Sequence, residues 1–214
     1  GGHSSNGSGT DNANGTGVVG GTDRADGDNQ GTVTDNPLKI VESGWSADQQ
    51  GYVHYAFALR NTSKTQQVQY PQITITGRAK DGSIVFSQTQ ALNMAFPNQT
   101  VYDAGQAGEG TAPETVDFTV LNPDTYNVAK AQGTAAFPIS GISKIDNRDG
   151  GTTFNGEVRA VADGFKPSDG QQIKISLVLR NAQNAIIYGD IAFVDWPGNG
   201  RSTPFSITVY DLPK

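Results

Sequence analysis

A chain of 214 residues with two histidines and no cysteine has few routes to covalent chemistry. A serine nucleophile needs an imidazole and a carboxylate beside it, and a zinc site needs several imidazole or thiolate ligands. His3 falls in a glycine- and serine-rich stretch and His54 on the polar side of an alternating segment, so neither has a second histidine to work with. The lack of cysteine also removes disulfides, thiol nucleophiles and iron-sulfur clusters together. Asp23, Asp26 and Asp28, in DRADGDNQG, form the oxygen-rich kind of cluster that hard cations take. They lack the spacing of an EF-hand and the glutamate at its twelfth position, and read as a solvated acidic linker. Glu157, Asp190 and Asp195 are carboxylates of the type that glycosidases use in pairs, but no local motif places them in a cleft. Two aromatic residues remain, Trp196 directly before Pro197 at a loop entrance and Tyr52 at the start of a strand. Exposed rings of this kind stack on sugars or anchor protein contacts, and covered ones plug the end of a sandwich core. The ligand-binding candidates are therefore Trp196, Tyr52 and His54, with a core position expected for Trp196 and a surface position for His54. No catalytic residue, metal site or cofactor is assigned, and the chain is expected not to be an enzyme.

The elements that would have to position these residues are strands. Glycine at 27 and proline at 10, with many threonine, asparagine and glutamine residues, give a turn-rich chain. No segment sustains helical periodicity over the roughly 10 to 12 residues that an ordinary helix needs. Residues 73–86, ITITGRAKDGSIVF, return as residues 175–188, ISLVLRNAQNAIIY, at an offset of 102. Each copy reads as a β-hairpin, with Asp81-Gly82 as the turn of the first. The expectation is an all-β chain of two tandem immunoglobulin-like antiparallel β-sandwich modules, residues 37–134 and 135–214. Residues 1–36, which hold no aromatic residue and only three large aliphatics, are expected to be a disordered tether.

Within the first module, residues 52–60 alternate so that Val53, Tyr55, Phe57 and Leu59 are expected inside and His54, Ala56, Ala58 and Arg60 in solvent. Residues 68–76 read as one strand, residues 105–113 as a glycine-rich loop, and Val116, Phe118 and Val120 as a return to the sheet. In the second module Ile139, Ile142 and Ile145 are expected to open the core. Ile173, Ile175, Leu177 and Leu179 form its central strand, with Lys174 turned to solvent. Residues 125–131 are expected to pack at the junction. Otherwise the second module, which is expected to lack a last strand, has an open edge that pairs with another chain as an edge-strand homodimer.

Arg60-Asn61 ends one strand, and residues 79–85, AKDGSIV, form the turn and start of the next, ahead of a proline turn at Pro97. In this order the chain resembles the FxLYD family of small extracytoplasmic β-sandwich domains, over about residues 38–121 and more weakly over 139–210. Ala79-Lys80 stands where the family favours an aromatic residue, and Gln183-Asn184 replaces Asp-Gly in the second copy. The resemblance implies a surface or envelope location and a non-catalytic role without a defined ligand. The leader, rich in glycine, serine, asparagine and aspartate, resembles the spacer that follows the lipidated cysteine of bacterial surface lipoproteins. That cysteine is not in this sequence, so membrane attachment would come only through a lipid anchor outside it. A net charge of -6 and a pI near 4.8, with scattered Lys and Arg, oppose binding to nucleic acid. The partners expected are a protein or a cell-wall glycan. The function expected is a surface-anchored binding or structural module of the bacterial envelope. The alternative is an accessory carbohydrate- or cell-wall-binding pair of domains in a polysaccharide-processing system.

Overall fold

The computed structural model describes residues 31–213. Sixteen named strands run through them. They are β1 (Leu38–Ala47), β2 (Val53–Asn61), β3 (Gln66–Gln69), β4 (Gln72–Arg78), β5 (Ile84–Ala91), β6 (Met94–Ala95), β7 (Thr100–Ala107) and β8 (Thr115–Val120). After a 3-10 turn at Thr125–Asn127 come β9 (Val128–Lys130), β10 (Thr134–Ala136), β11 (Ile139–Asp146) and β12 (Gly151–Arg159). The last four are β13 (Val161–Asp163), β14 (Gln172–Arg180), β15 (Ile186–Asp195) and β16 (Ser202–Tyr210). All the ladders between these strands are antiparallel, and the all-β class read from composition and alternation holds.

Two sheets of three strands, β1-β2-β7 and β5-β4-β8, enclose the first apolar core. Tyr55, Phe57, Leu59, Ile73 and Ile75 are fully buried there, and Phe118 tilts against the rings of Tyr55 and Phe57. A small sheet, β9-β3-β6, closes one end and adds Val68 and Ala95 to the core. Asn61 ties this corner together. Its buried amide donates to the carbonyls of Gln66 (2.9 Å) and Ala95 (3.0 Å), and its Oδ1 accepts from the Ser63 N–H. Every polar atom of that buried side chain thus has a partner, as burial requires. The second core lies between the β11-β12-β16 sheet and the β14-β15 hairpin, around Val158, Ile173, Ile175, Tyr188, Ile207 and Val209.

The offset of 102 survives down to single residues. Both hairpins carry a bulge at the same place, between Gly77 and Arg78 in β4 and between Leu179 and Arg180 in β14. Both turns then close alike, with the Ala79 N–H on the Ser83 carbonyl (2.8 Å) and the Asn181 N–H on the Ala185 carbonyl (3.0 Å). Gly82 at φ 88 is matched by Asn184 at φ 66. Asparagine enters the left-handed region at lower cost than other side chains, so the turn keeps its shape without the glycine.

Several expectations are corrected. Residues 68–76 are not one strand: Tyr70, at φ 53, and Pro71 break the run, and β3 and β4 join different sheets. The loop expected at 105–113 begins later, because β7 continues through Gly105 to Ala107 as the partner of β2. Ile139, Ile142 and Ile145 do not open the core, since every residue of β11 is exposed. Residues 125–131 belong to the first core's own end sheet, where β9 pairs with β3, and Val128 packs on that core. The tether boundary also shifts: the Val33 N–H donates to the Pro123 carbonyl, and Asn36 Nδ2 to the Leu121 carbonyl. The remainder of the expected tether, with His3 and the Asp23, Asp26 and Asp28 cluster, lies outside the described residues.

Candidate functional site

The residues with chemical potential gather where the outer face of β1-β2-β7 meets the β14-β15 hairpin. Two backbones approach closely there because the facing positions are small. Ala56, Ala104 and Ile186 are buried together, with Val178 and Ile191 packed against them. A Cβ at Gly44 would collide with the Ile186 carbonyl, and one at Gly189 with the Tyr55 carbonyl. Both faces of β2 are therefore covered. Ala56 and Ala58, expected in solvent, are fully buried.

β14 alternates between two interiors. Ile173, Ile175, Leu177 and Leu179 enter the second core. The residues between them reach the first half of the chain. Lys174 Nζ lies 3.1 Å from the Asp103 carboxylate, Ser176 Oγ donates to the Tyr102 carbonyl (3.2 Å), and Arg180 forms a two-pronged ion pair with Glu42. The Tyr102 hydroxyl also donates to Glu42 (3.1 Å). The hydrogen bonds from Arg180 hold the Glu42 carboxyl below the usual glutamate range.

Asp103 is 1% exposed and sits at the centre of a buried polar chain. Its Oδ1 accepts from the Ala104 N–H (2.9 Å) and its Oδ2 from Gln90 Nε2 (2.7 Å), while the Tyr55 hydroxyl donates to Gln90 Oε1. Burial pushes the Asp103 carboxyl above the ordinary aspartate range, although Lys174 and these donors pull the other way. Burial, and then the Asp103 charge, push the Tyr55 hydroxyl up as well, which keeps it a neutral donor.

His54, expected on the surface, lies in the same seam. Its Nε2 is 2.8 Å from Asp48 Oδ2, and its ring stacks on Tyr188 with centroids 4.7 Å apart and planes at 20°. Asp48 closes the β1-β2 turn by accepting from the N–H groups of Gln50 (2.9 Å) and Tyr52 (3.0 Å). Burial alone would raise the Asp48 carboxyl, but His54 and these two amides outweigh it and hold it below the usual range. The Tyr188 hydroxyl is pushed up to about 12 by burial and by the charges of Asp190 and Asp48. This histidine and carboxylate are of the types that form a catalytic pair, but the carboxylate takes Nε2, the nitrogen that would face a nucleophile, and Tyr188 covers the imidazole face. Tyr52 contributes its backbone to the Asp48 turn.

Trp196 lies in a row of aromatic rings at one end of the second core. Phe137 meets it edge-on at 5.5 Å, Phe165 lies at 6.2 Å, and Phe96 from the first half meets Phe165 at 5.4 Å. The expected core position for Trp196 holds, since it is half-buried and packed on that core. Of the three candidates, His54 and the Tyr52 backbone meet at Asp48, whereas Trp196 lies among the Phe137 and Phe165 rings. Among the carboxylates, Glu157 is exposed on β12 and Asp195 Oδ1 accepts from Gln172 Nε2 (3.2 Å). No group of three or more residues able to hold a cation occurs among the described residues. Sequence reasoning missed the Asp103–Lys174 pair. Its signal was an aspartate in an otherwise apolar and small-residue run, TVYDAGQA, which the expected loop at 105–113 obscured. The chain matches no known protein family, no curated protein and no solved structure with which it was compared.

Proposed function

We propose that the chain is a non-catalytic binding or structural module of the bacterial cell envelope, carried outside the cytoplasmic membrane on its glycine-, serine- and aspartate-rich leader. The observation that carries this reading is the seam. The histidine, the buried aspartate and the lysine that have the types for chemistry are each held by a partner from the facing element. They serve to fix one sheet on another. The strand orders β1-β2-β7 and β5-β4-β8 are those that an immunoglobulin-like sandwich would give, and the matching hairpins support two tandem copies of it. A stiff body behind a leader of this composition suits a spacer that presents one surface away from a membrane.

Protease shaving of intact source cells tests the location: the reading expects the chain to be cut while a cytoplasmic marker stays whole, and a fully protected chain would overturn it. The carbohydrate-binding alternative needs the Trp196 ring to be free, and the Phe137 and Phe165 contacts argue against that. Binding on a glycan array that is lost in Trp196→Ala would revive it.

A further inference from the structure

β11 is the edge of its sheet, paired with β12 on one side and, among the described residues, with no strand on the other. Its eight residues are all exposed, including Ile139, Ile142 and Ile145, and Ile142 is 72% exposed. Natural edges are usually blunted by charge, by bulges or by a cover. Here a bulge between Ser140 and Ser143, with Gly141 at φ 64, interrupts the first part of the strand and leaves residues 143–146 regular. β14 also lacks a second neighbour, but its Lys174, Ser176 and Arg180 are bound to the first half of the chain. Among the described residues, the side chains of β11 have no such engagement along the edge apart from Asp146, whose Oδ1 accepts from Thr152 (3.2 Å).

We infer that β11 pairs antiparallel with β11 of a second copy of this chain, about a two-fold axis through Ile145. Backbone direction and charge together select that register. The Asn147 N–H donates to the Gly151 carbonyl at 2.7 Å, and Ile145 is opposite Thr153 two residues further along the ladder. Bonded pairs alternate in an antiparallel ladder, so Ile145 and Thr153 form the next bonded pair. Lys144 and Asp146 therefore turn their N–H and C=O groups away from β12. An incoming strand must set such outward residues opposite one another.

An axis through Ile145 places Lys144 against Asp146 of the second copy, and the symmetry repeats the pair. An axis through Lys144 would oppose two lysines. One through Asp146 would oppose two aspartates and set Lys144 against Arg148. One through Ser143 leaves Lys144 opposite Ile142. Only the Ile145 axis of these four pairs unlike charges. It also brings the two exposed Ile145 side chains together as a non-bonded pair, the closer kind of cross-strand neighbour. The product is one continuous sheet of six strands, β16-β12-β11-β11-β12-β16, in which the lysine that blunts a lone edge becomes the residue that sets the register. The interface is short, so the dimer forms reversibly with rising concentration.

Sedimentation equilibrium of the full chain from about 1 µM to about 1 mM tests this, a span over which a weak dimer would titrate. The expected result is a shift from monomer to dimer that weakens as salt is raised. Lys144→Pro removes an outward N–H that β12 does not use, a place where edge strands tolerate proline, and should abolish the dimer with the fold retained. Lys144→Asp and Asp146→Lys should each weaken association about tenfold by placing like charges opposite, and the two together should restore it. Circular dichroism on each variant separates loss of fold from loss of pairing, and the exchanged pair decides the question if the proline variant does not fold. A wild-type chain that stays monomeric throughout, a dimer indifferent to these changes, or a double variant that fails to recover would each overturn the pairing.

Discussion

Lys174 is the single side chain whose removal should do most to the seam, because it leaves the buried Asp103 carboxylate without its cation. Breaking a fully buried pair costs about 3 to 5 kcal/mol, and the part of Lys174 that still meets solvent brings the expectation for Lys174→Ala to about 2 to 3 kcal/mol at neutral pH. For a lysine turned to solvent, as the alternation alone places it, the same change would be nearly neutral. The pH dependence has a definite sign. The folded Asp103 carboxyl titrates above its unfolded value, and more so without Lys174, so the folded state holds the extra proton in the window between the two. Stability from this group is full below the unfolded value and falls as pH rises through that window. The gap between Lys174→Ala and the wild type should therefore shrink on acidification towards about pH 4, the ordinary aspartate value. Urea unfolding at several pH values measures it, and a pH-independent gap would leave the ion pair without a role in stability. Asn61 was legible as the end of a strand, but its buried bonds to Gln66 and Ala95 depend on β3 and β6, which the alternation did not separate.

At the scale of elements, the strands were legible wherever one face meets apolar core and the other meets water. Val53, Tyr55, Phe57 and Leu59 were placed correctly on that basis. The rule fails on β2 because its other face is covered too. The signal for a second covered face was there in size rather than polarity: Ala56 and Ala58, with Gly44, Ala104 and Gly189, allow backbones to approach where larger or charged residues would hold them apart. The offset of 102 identified the paired hairpins, and the bulges and left-handed turn residues keep it. The failure at β11 has a different cause. Ile145 stands opposite Thr153, whose Oγ1 bonds the exposed Thr208 Oγ1 at 2.9 Å, so the isoleucine lies on the outer face despite its apolar type. Gly189→Ala provides the element-level test. Its new Cβ would meet backbone, which cannot swing aside as a side chain can, so the hairpin must move off β2. A loss of several degrees in thermal midpoint is expected, of the size that about 1 to 3 kcal/mol of overpacking produces. Gly82→Ala has open space around its Cβ and is the control for backbone strain at a positive φ. Gly189 itself is not at a positive φ, so its cost comes from the close approach, and a Gly189→Ala variant with an unchanged midpoint would contradict that approach.

For the molecule as a whole, four sheet layers follow one another: β5-β4-β8, then β1-β2-β7, then β14-β15, then β11-β12-β16. The middle contact is expected to fuse the two halves into one rigid body, which is the role left for the seam's histidine, aspartate and lysine. The chain has no cysteine, so two can be introduced for spin labels without background. Ser87 on β5 and Ser206 on β16 are exposed positions on the outermost sheets, one in each half. Pulsed electron-spin distance measurement on Ser87→Cys with Ser206→Cys, at a concentration low enough to keep the chain monomeric, reports directly whether those sheets keep a fixed separation. A single narrow distance distribution that broadens in Gly189→Ala is the predicted result, and a broad distribution in the otherwise unaltered chain would contradict it.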